Sequence, residues 1–149
     1  MDMLEHALSD VYLKFKLNFY RSIFKRFEER EASLTAVETF CVEVIHALHQ
    51  PTISEFADFV MISQANAAYK VQSLIKKGYV IKEQSLADRR EFRLVVTDKF
   101  YQYYGISQDY LLAVAGRMRE HFSTEEIALF ERMLSAMNKE LMPEIELQD

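Results

Sequence analysis

A single cysteine, two prolines, three glycines and no tryptophan occur in this 149-residue chain. One thiol, Cys41, cannot close an internal disulfide, which excludes a disulfide-stapled scaffold and fits a reducing cytosol. So few glycines and prolines suit a mostly helical chain with short connections. No apolar run approaches the roughly 18 residues of a membrane span. The opening MDMLEHALSD holds three acids and no Lys or Arg, unlike a secretory signal, so a cytoplasmic location is expected. Also missing are a phosphate-cradling glycine loop, a metalloprotease motif and a nucleophile elbow. No enzyme activity, cofactor or metal is therefore expected.

Apolar residues are plentiful. Half of the chain is hydrophobic, including eight Tyr and eleven Phe, so the chain can bury a core as one domain over 1–149. The net charge of −5 is unevenly spread. Residues 1–62 hold six basic and ten acidic side chains, net −4, and residues 100–149 hold four and nine, net −5. Residues 63–99 hold eight basic and four acidic, net +4. Screening over about 8 Å at physiological salt lets that local positive field act despite the distant acids.

Hydrophobic periodicity predicts a first helix over about 8–30, with Leu8, Tyr12, Phe15, Phe19, Ile23 and Phe27 at three- and four-residue steps. Three Ser/Thr-x-x-Glu signatures mark later helix starts: Thr35 with Glu38, Thr52 with Glu55, and Ser123 with Glu126. The second helix runs about 36–49 and stops before Pro51, because proline disfavours helix in the residue preceding it. The third, about 53–59, buries Ile53, Phe56, Ala57 and Val60. The fourth starts after Ser63 as N-cap, turns Ala67, Val71, Leu74 and Ile75 inward, and ends at Gly78. Strands near 79–84 and 92–97 flank a charged loop, with Phe92, Leu94 and Val96 alternating as the inner set. Two further helices follow, the last over about 124–142 with a seam of Ile127, Phe130, Leu134, Met137 and Leu141.

Helix, tight turn, helix and β-hairpin, TISEFADF through EFRLVVT, is the winged-helix order. It offers DNA a helix for the major groove and a hairpin for the backbone and minor groove. The expected fold is mainly α: a winged helix-turn-helix over about 33–99 with a small hairpin wing, and dimerisation helices over about 1–32 and 100–149.

Three segments, SLTAVETFCVEVIHAL, SQANAAYKVQSLIKKGYV and ADRREFRLVVTDK, together with the element order, resemble the MarR-type bacterial transcriptional regulators. The wing of that family reads Asp-x-Arg before a strand ending Leu-x-Thr. Here Asp88-Arg89-Arg90 and Leu94-Val95-Val96-Thr97 fill the pattern with one extra residue before the threonine. Two positions depart: Asp98-Lys99-Phe100 stands where a glycine is common, and Ala68-Tyr69 where Thr and Arg are common. Operator preferences therefore do not carry over.

The resemblance implies a repressor that binds a pseudo-palindromic operator as a homodimer and responds to a small, often aromatic or anionic, effector. It makes Gln64, Asn66, Tyr69 and Lys70 the base-reading candidates, with Ser73 sharing their face. Their amides and ammonium suit adenine and guanine edges, and Ala65 and Ala68 would let the backbone approach. In the wing, Asp88 can hold Arg90 in one orientation through a charge-assisted hydrogen bond, which suits the narrow minor groove of A·T-rich DNA. Arg89 and Arg93 are the phosphate candidates. Tyr12, Phe15, Phe19 and His46 are candidate effector lining, although core packing explains them equally well. Cys41 reads as a small buried apolar residue. His46 and His49 read as helix-end histidines, since zinc needs three or four converging ligands. Two alternatives stay open: a winged-helix module that binds protein instead of DNA, and a repressor with a metal or redox input.

Overall fold

The computed structural model describes residues 1–28 and 34–147, without the side chains of 26–28 and 103–107. The expected first-helix residues 29 and 30, and the Phe27 and Tyr104 side chains, lie outside the described residues. The order is α1 (Met3–Glu28), α2 (Ala36–Ala47), α3 (Ile53–Val60), α4 (Gln64–Lys76), β1 (Val80–Gln84), β2 (Phe92–Val96), α5 (Asp98–His121) and α6 (Thr124–Ala136), with a π-helical turn over Met137–Leu141. The chain forms two compact units, Met1–Gly105 and Ile106–Asp149.

Helix α1 starts five residues before the expected position. Asp2 caps it: its carboxylate accepts from the Glu5 amide at 2.9 Å, and Glu5 accepts from the Asp2 amide at 2.8 Å. That reciprocal pair is a capping box with aspartate in place of Ser or Thr. The apolar stripe is not covered as expected. Ile23 is buried, Phe15 and Phe19 are half-buried, and Leu8 and Tyr12 face solvent.

The core of the first unit joins Val42 and Ile45 of α2, Phe56 and Ala57 of α3, and Ala67, Val71 and Leu74 of α4. Tyr79, Val80, Leu94 and Phe100 complete it. Cys41 is buried among them, and that burial pushes its thiol pKa up against the lowering influence of Lys70. All three predicted caps form. Thr52–Glu55 and Ser123–Glu126 are complete boxes, whereas at the start of α2 Thr35 caps the Glu38 amide and its hydroxyl donates to the Glu38 carboxylate at 3.1 Å. Helix α2 closes two residues early, and His49 and Gln50 take left-handed backbone angles (φ 51° and 60°) to turn the chain into Pro51.

Gly78 ends α4 in a Schellman motif. The Tyr79 amide donates to the Leu74 carbonyl and the Gly78 amide to that of Ile75, each at 3.0 Å, with Gly78 at φ 83°. The next residues pair as an antiparallel hairpin, Val80 opposite Val96 through Gln84 opposite Phe92. The Leu94 amide also donates to the Pro51 carbonyl at 2.8 Å, which ties β2 to the segment entering α3. At the hairpin base the Thr97 hydroxyl donates to the Gly78 carbonyl at 2.6 Å, and Lys99 Nζ to that of Lys77 at 2.8 Å.

In the second unit α6 gives way to a π turn at Met137 instead of running on to 142. Its apolar seam is open: Phe130, Leu134 and Leu141 face solvent, as do Leu129 and Met133 beside them. A groove of about 270 Å³ lies between α5 and α6, lined by Met118, Phe122, Ile127, Leu129, Phe130 and Met133, with the Glu126 side chain at its edge. Among the described residues no helix is long and apolar enough to cross a membrane.

Candidate nucleic-acid interface

Helix α4 is fixed on three sides. Its inner face enters the core, its N-terminus is capped by Ser63, whose hydroxyl accepts from the Asn66 amide at 3.1 Å, and its C-terminus is held by the wing base. A fourth restraint comes from Glu38 of α2, a largely buried carboxylate. It accepts from Lys77 Nζ at 2.9 Å and from the Ser73 hydroxyl at 3.3 Å. Burial pushes the Glu38 pKa up, but the hydrogen bonds from Lys77 and Thr35 and the Lys77 charge outweigh it and leave it below the ordinary value.

This contact changes the expected reading face. Ser73 was expected beside the base-reading residues; it is half-buried and donates to α2. Lys70 is also half-buried on that flank, within electrostatic reach of Cys41. The exposed face of α4 instead runs through Ala65, Asn66, Ala68, Tyr69, Gln72 and Lys76. Tyr69 is the most prominent apolar group on it, at 78% exposure. Gln72 and Lys76 are exposed on this face although the sequence reading does not name them. Gln72 lies three residues after Tyr69 and lies away from Val71 and Leu74, so helical spacing alone could have found it. Gln64 is exposed, and its amide donates to the Ser54 hydroxyl of α3 at 2.7 Å, bridging the two helix starts.

The wing tip is built around Ser85 and Asp88. The Ser85 hydroxyl accepts from the Ala87 and Asp88 amides at 3.3 and 3.4 Å, and the Glu91 amide donates to the Asp88 carbonyl at 3.0 Å. Gln84 Nε2 donates to the Arg89 carbonyl. The Asp88 carboxylate accepts from the Arg90 amide at 2.9 Å and lies 3.5 Å from Arg90 Nε. Arg90 is therefore tethered at its base while its side chain stands 94% exposed. Arg89 and Lys82 are also exposed. Phe92, expected inward, is 49% exposed at the last register pair. It helps line a cleft of about 370 Å³ with Thr52, Ser54, Gln64, Lys82 and Arg90, between the start of α3 and the wing.

Arg93, expected to be free for phosphate, is engaged within the protein. One guanidinium nitrogen lies 3.1 and 3.2 Å from the two Glu55 oxygens, and the other lies 3.0 Å from Glu91.

The candidate effector residues stand in different surroundings. Phe19 packs against Phe40, ring centroids 6.1 Å apart, and Tyr12 is exposed. His46 packs against Phe100 and Tyr101 at 5.1 and 5.6 Å. It borders a pocket of about 180 Å³ with His49, Gln50, Tyr101 and the β2 residues Leu94 to Val96. Burial, then the neighbouring His49, lowers the His46 pKa. Among the described residues no three His, Cys, Asp or Glu side chains are grouped as metal ligands.

Comparison with known proteins agrees with this geometry. Residues 34–92 match the MarR family. No curated protein sequence matches significantly. Among solved structures, the chain is similar to the transcriptional regulator Tm0710 from Thermotoga maritima (15% identity, TM-score 0.67, 93% of this chain and 96% of that one). It is similar also to a MarR family protein from Bacillus stearothermophilus (16%, 0.66, 93% and 92%). A third is FabT from Streptococcus pneumoniae, solved in complex with DNA (20%, 0.54, 91% and 96%). At these identities the structures speak for the fold.

Proposed function

We propose that this chain, whose residues 34–92 match the MarR family and whose fold is that of solved transcriptional regulators, acts as a ligand-responsive transcriptional repressor and not as an enzyme. It binds a pseudo-palindromic operator as a homodimer in the cytoplasm. The observation that carries this reading is the pairing of two exposed elements. The polar outer face of α4 and the tethered, solvent-exposed Arg90 belong to one unit, joined through the Gly78, Thr97 and Lys99 contacts. The relative solved with DNA has the same fold, which supports DNA as the partner.

In this reading Asn66, Tyr69 and Gln72 meet base edges, with Gln64 and Lys70 at the margins of the face. Amide groups pair with adenine, and the Tyr69 ring packs on a thymine methyl. Arg90 enters the minor groove beside the major groove held by α4, with Asp88 keeping its orientation. Arg89, Lys76 and Lys82 contact phosphate. The dimer forms through the helices outside the winged helix. Support comes from each unit separately: α1 exposes Leu8, Val11, Tyr12 and Leu17, and α6 exposes Phe130, Met133 and Leu134. Clustered exposed apolar side chains of this kind support an interaction surface. A dimer would set two α4 helices about one DNA turn apart, roughly 34–36 Å. An effector, in the same reading, alters that spacing. The half-buried His46 pocket is one place for a small planar molecule to act.

The test is selection of bound sequences from random duplex DNA, repeated across salt concentrations. The reading expects an inverted repeat and binding that weakens steeply with salt. No selected motif, with salt-independent binding, would favour the protein-interaction module instead.

A further inference from the structure

Resting on that DNA-binding reading, we propose that Arg93 is a positioning residue. It locks the wing to the start of α3, with its charge compensated inside the protein and not offered to phosphate. Three elements meet at its guanidinium. Nη1 faces both Glu55 oxygens on α3 and lies 3.5 Å from the carbonyl of Gln50, in the left-handed bend before α3. Nη2 holds Glu91 at the end of the wing loop, 3.0 Å away. The next residue, Leu94, donates its amide to the Pro51 carbonyl at 2.8 Å, so β2 grips the same bend twice in succession.

Glu55 serves two elements at once. As third residue of α3 it accepts from the Thr52 amide at 3.4 Å while its own amide donates to the Thr52 hydroxyl at 3.1 Å. Its oxygens therefore fix the α3 cap and, through Arg93, the wing strand. Arg90 lies three residues before Arg93, so the angle at which it leaves the wing depends on this junction. Helix α4 begins at Gln64, whose amide bonds Ser54 one residue before Glu55. The brace thus relates the minor-groove arginine to the reading helix. Charge agrees with this role. One guanidinium between two carboxylates makes a group of net −1, which repels a phosphate. A planar guanidinium also holds two carboxylates in fixed directions through separate nitrogens, which the point charge of a Lys ammonium does not.

The experiment compares Arg93→Gln, Arg93→Lys, Glu55→Gln and the double variant Glu55→Gln/Arg93→Gln. Binding to the duplex selected by the wild type is measured across salt, and amide hydrogen exchange at Leu94 is measured without DNA. Glutamine at 55 keeps the cap, because Gln serves that position as Glu does. A brace predicts that Glu55→Gln weakens binding about five-fold, the scale of one partly exposed ion pair, although it removes a negative charge near DNA. Arg93→Lys should weaken binding comparably despite keeping its charge. Arg93→Gln should leave the salt slope unchanged, the double variant should be no worse than either single one, and Leu94 exchange should speed up in each. A phosphate contact predicts the opposite: Glu55→Gln binds at least as tightly, Arg93→Lys is nearly normal, and Arg93→Gln lowers the salt slope by about 0.9. That pattern would overturn the proposal. If the wild type selects no duplex, the DNA-binding reading fails separately. Leu94 exchange then decides the brace alone, and unchanged exchange overturns it.

Discussion

Replacing Arg90 with alanine should separate folding from DNA binding more cleanly than any other single change. In the free protein the side chain is 94% exposed, and its ion pair with Asp88 is 3.5 Å long. Exposed pairs of this kind contribute about 0–1 kcal/mol, and the backbone hydrogen bond from the Arg90 amide to Asp88 survives the substitution. Unfolding free energy should therefore change by less than about 0.5 kcal/mol. In the complex the lost minor-groove contact should cost about 1–3 kcal/mol, or roughly 5- to 150-fold in affinity. Asp88→Ala should divide differently. It loses the acceptor for the Arg90 amide, at about 0.5–1.5 kcal/mol of stability, yet keeps the guanidinium, so affinity falls less than in Arg90→Ala. Fluorescence anisotropy on a selected operator and urea unfolding measure the two quantities on the same samples. Normal operator binding by both variants would refute the wing assignment. An Arg90→Ala protein that loses several kcal/mol of stability would refute the reasoning that its side chain is poised for an external partner.

The other predictions concern assembly and the scaffold. Sedimentation at micromolar concentration should give twice the chain mass of 17.6 kDa, and Leu134→Glu should yield monomers with weaker operator binding; a wild-type monomer with and without DNA contradicts the dimer. Phe56→Ala, at a fully buried position, should cost about 3–5 kcal/mol in denaturant titration, and a loss under 1 kcal/mol would mean that α3 does not pack as described. Gly78→Ala should cost about 1 kcal/mol through its positive φ alone, since a β-carbon there meets nothing closer than Lys99 Cδ at 3.8 Å. Glu38 has a folded pKa below its ordinary 4.5, so its stabilisation is complete above that value and lost as pH falls through the folded pKa. Glu38→Gln should therefore flatten the acid limb of stability against pH, and an unchanged limb would discount the α2–α4 link.

Signals carried by a few neighbouring residues were legible in the sequence. The Thr35, Thr52 and Ser123 caps, the Gly78 stop and the hairpin around SLADRR all formed where their local chemistry directs. The Asp2–Glu5 box is equally local, with aspartate in the place that Ser or Thr fills in the three Ser/Thr-x-x-Glu signatures. What was not legible depended on distant partners. The arc of α4 opposite Ala67, Val71 and Leu74 spans several residues, and the carboxylate of Glu38, far back in the chain, decides which edge is covered. Ser73 and Lys70 lie on the covered edge; Gln72 and Lys76 do not. Arg93 reads as a wing cation until Glu55, 38 residues earlier, is brought beside it. The period of α1 shows that one face is apolar, not which surface covers it.

Sequence selection by reading-helix variants asks whether α4 reads base edges. Wild type, Asn66→Ala, Gln72→Ala and Ser73→Ala would each be offered the same pool of random duplexes, and the enriched motifs compared position by position. The wild type should select an inverted repeat. Asn66→Ala and Gln72→Ala should relax preference at specific half-site positions, each losing about 1–3 kcal/mol of discrimination there. Ser73→Ala should leave the motif unchanged, because that side chain faces Glu38. An unaltered motif in both the Asn66 and Gln72 variants, beside a clear wild-type motif, would contradict the assignment of α4 as the helix that reads DNA.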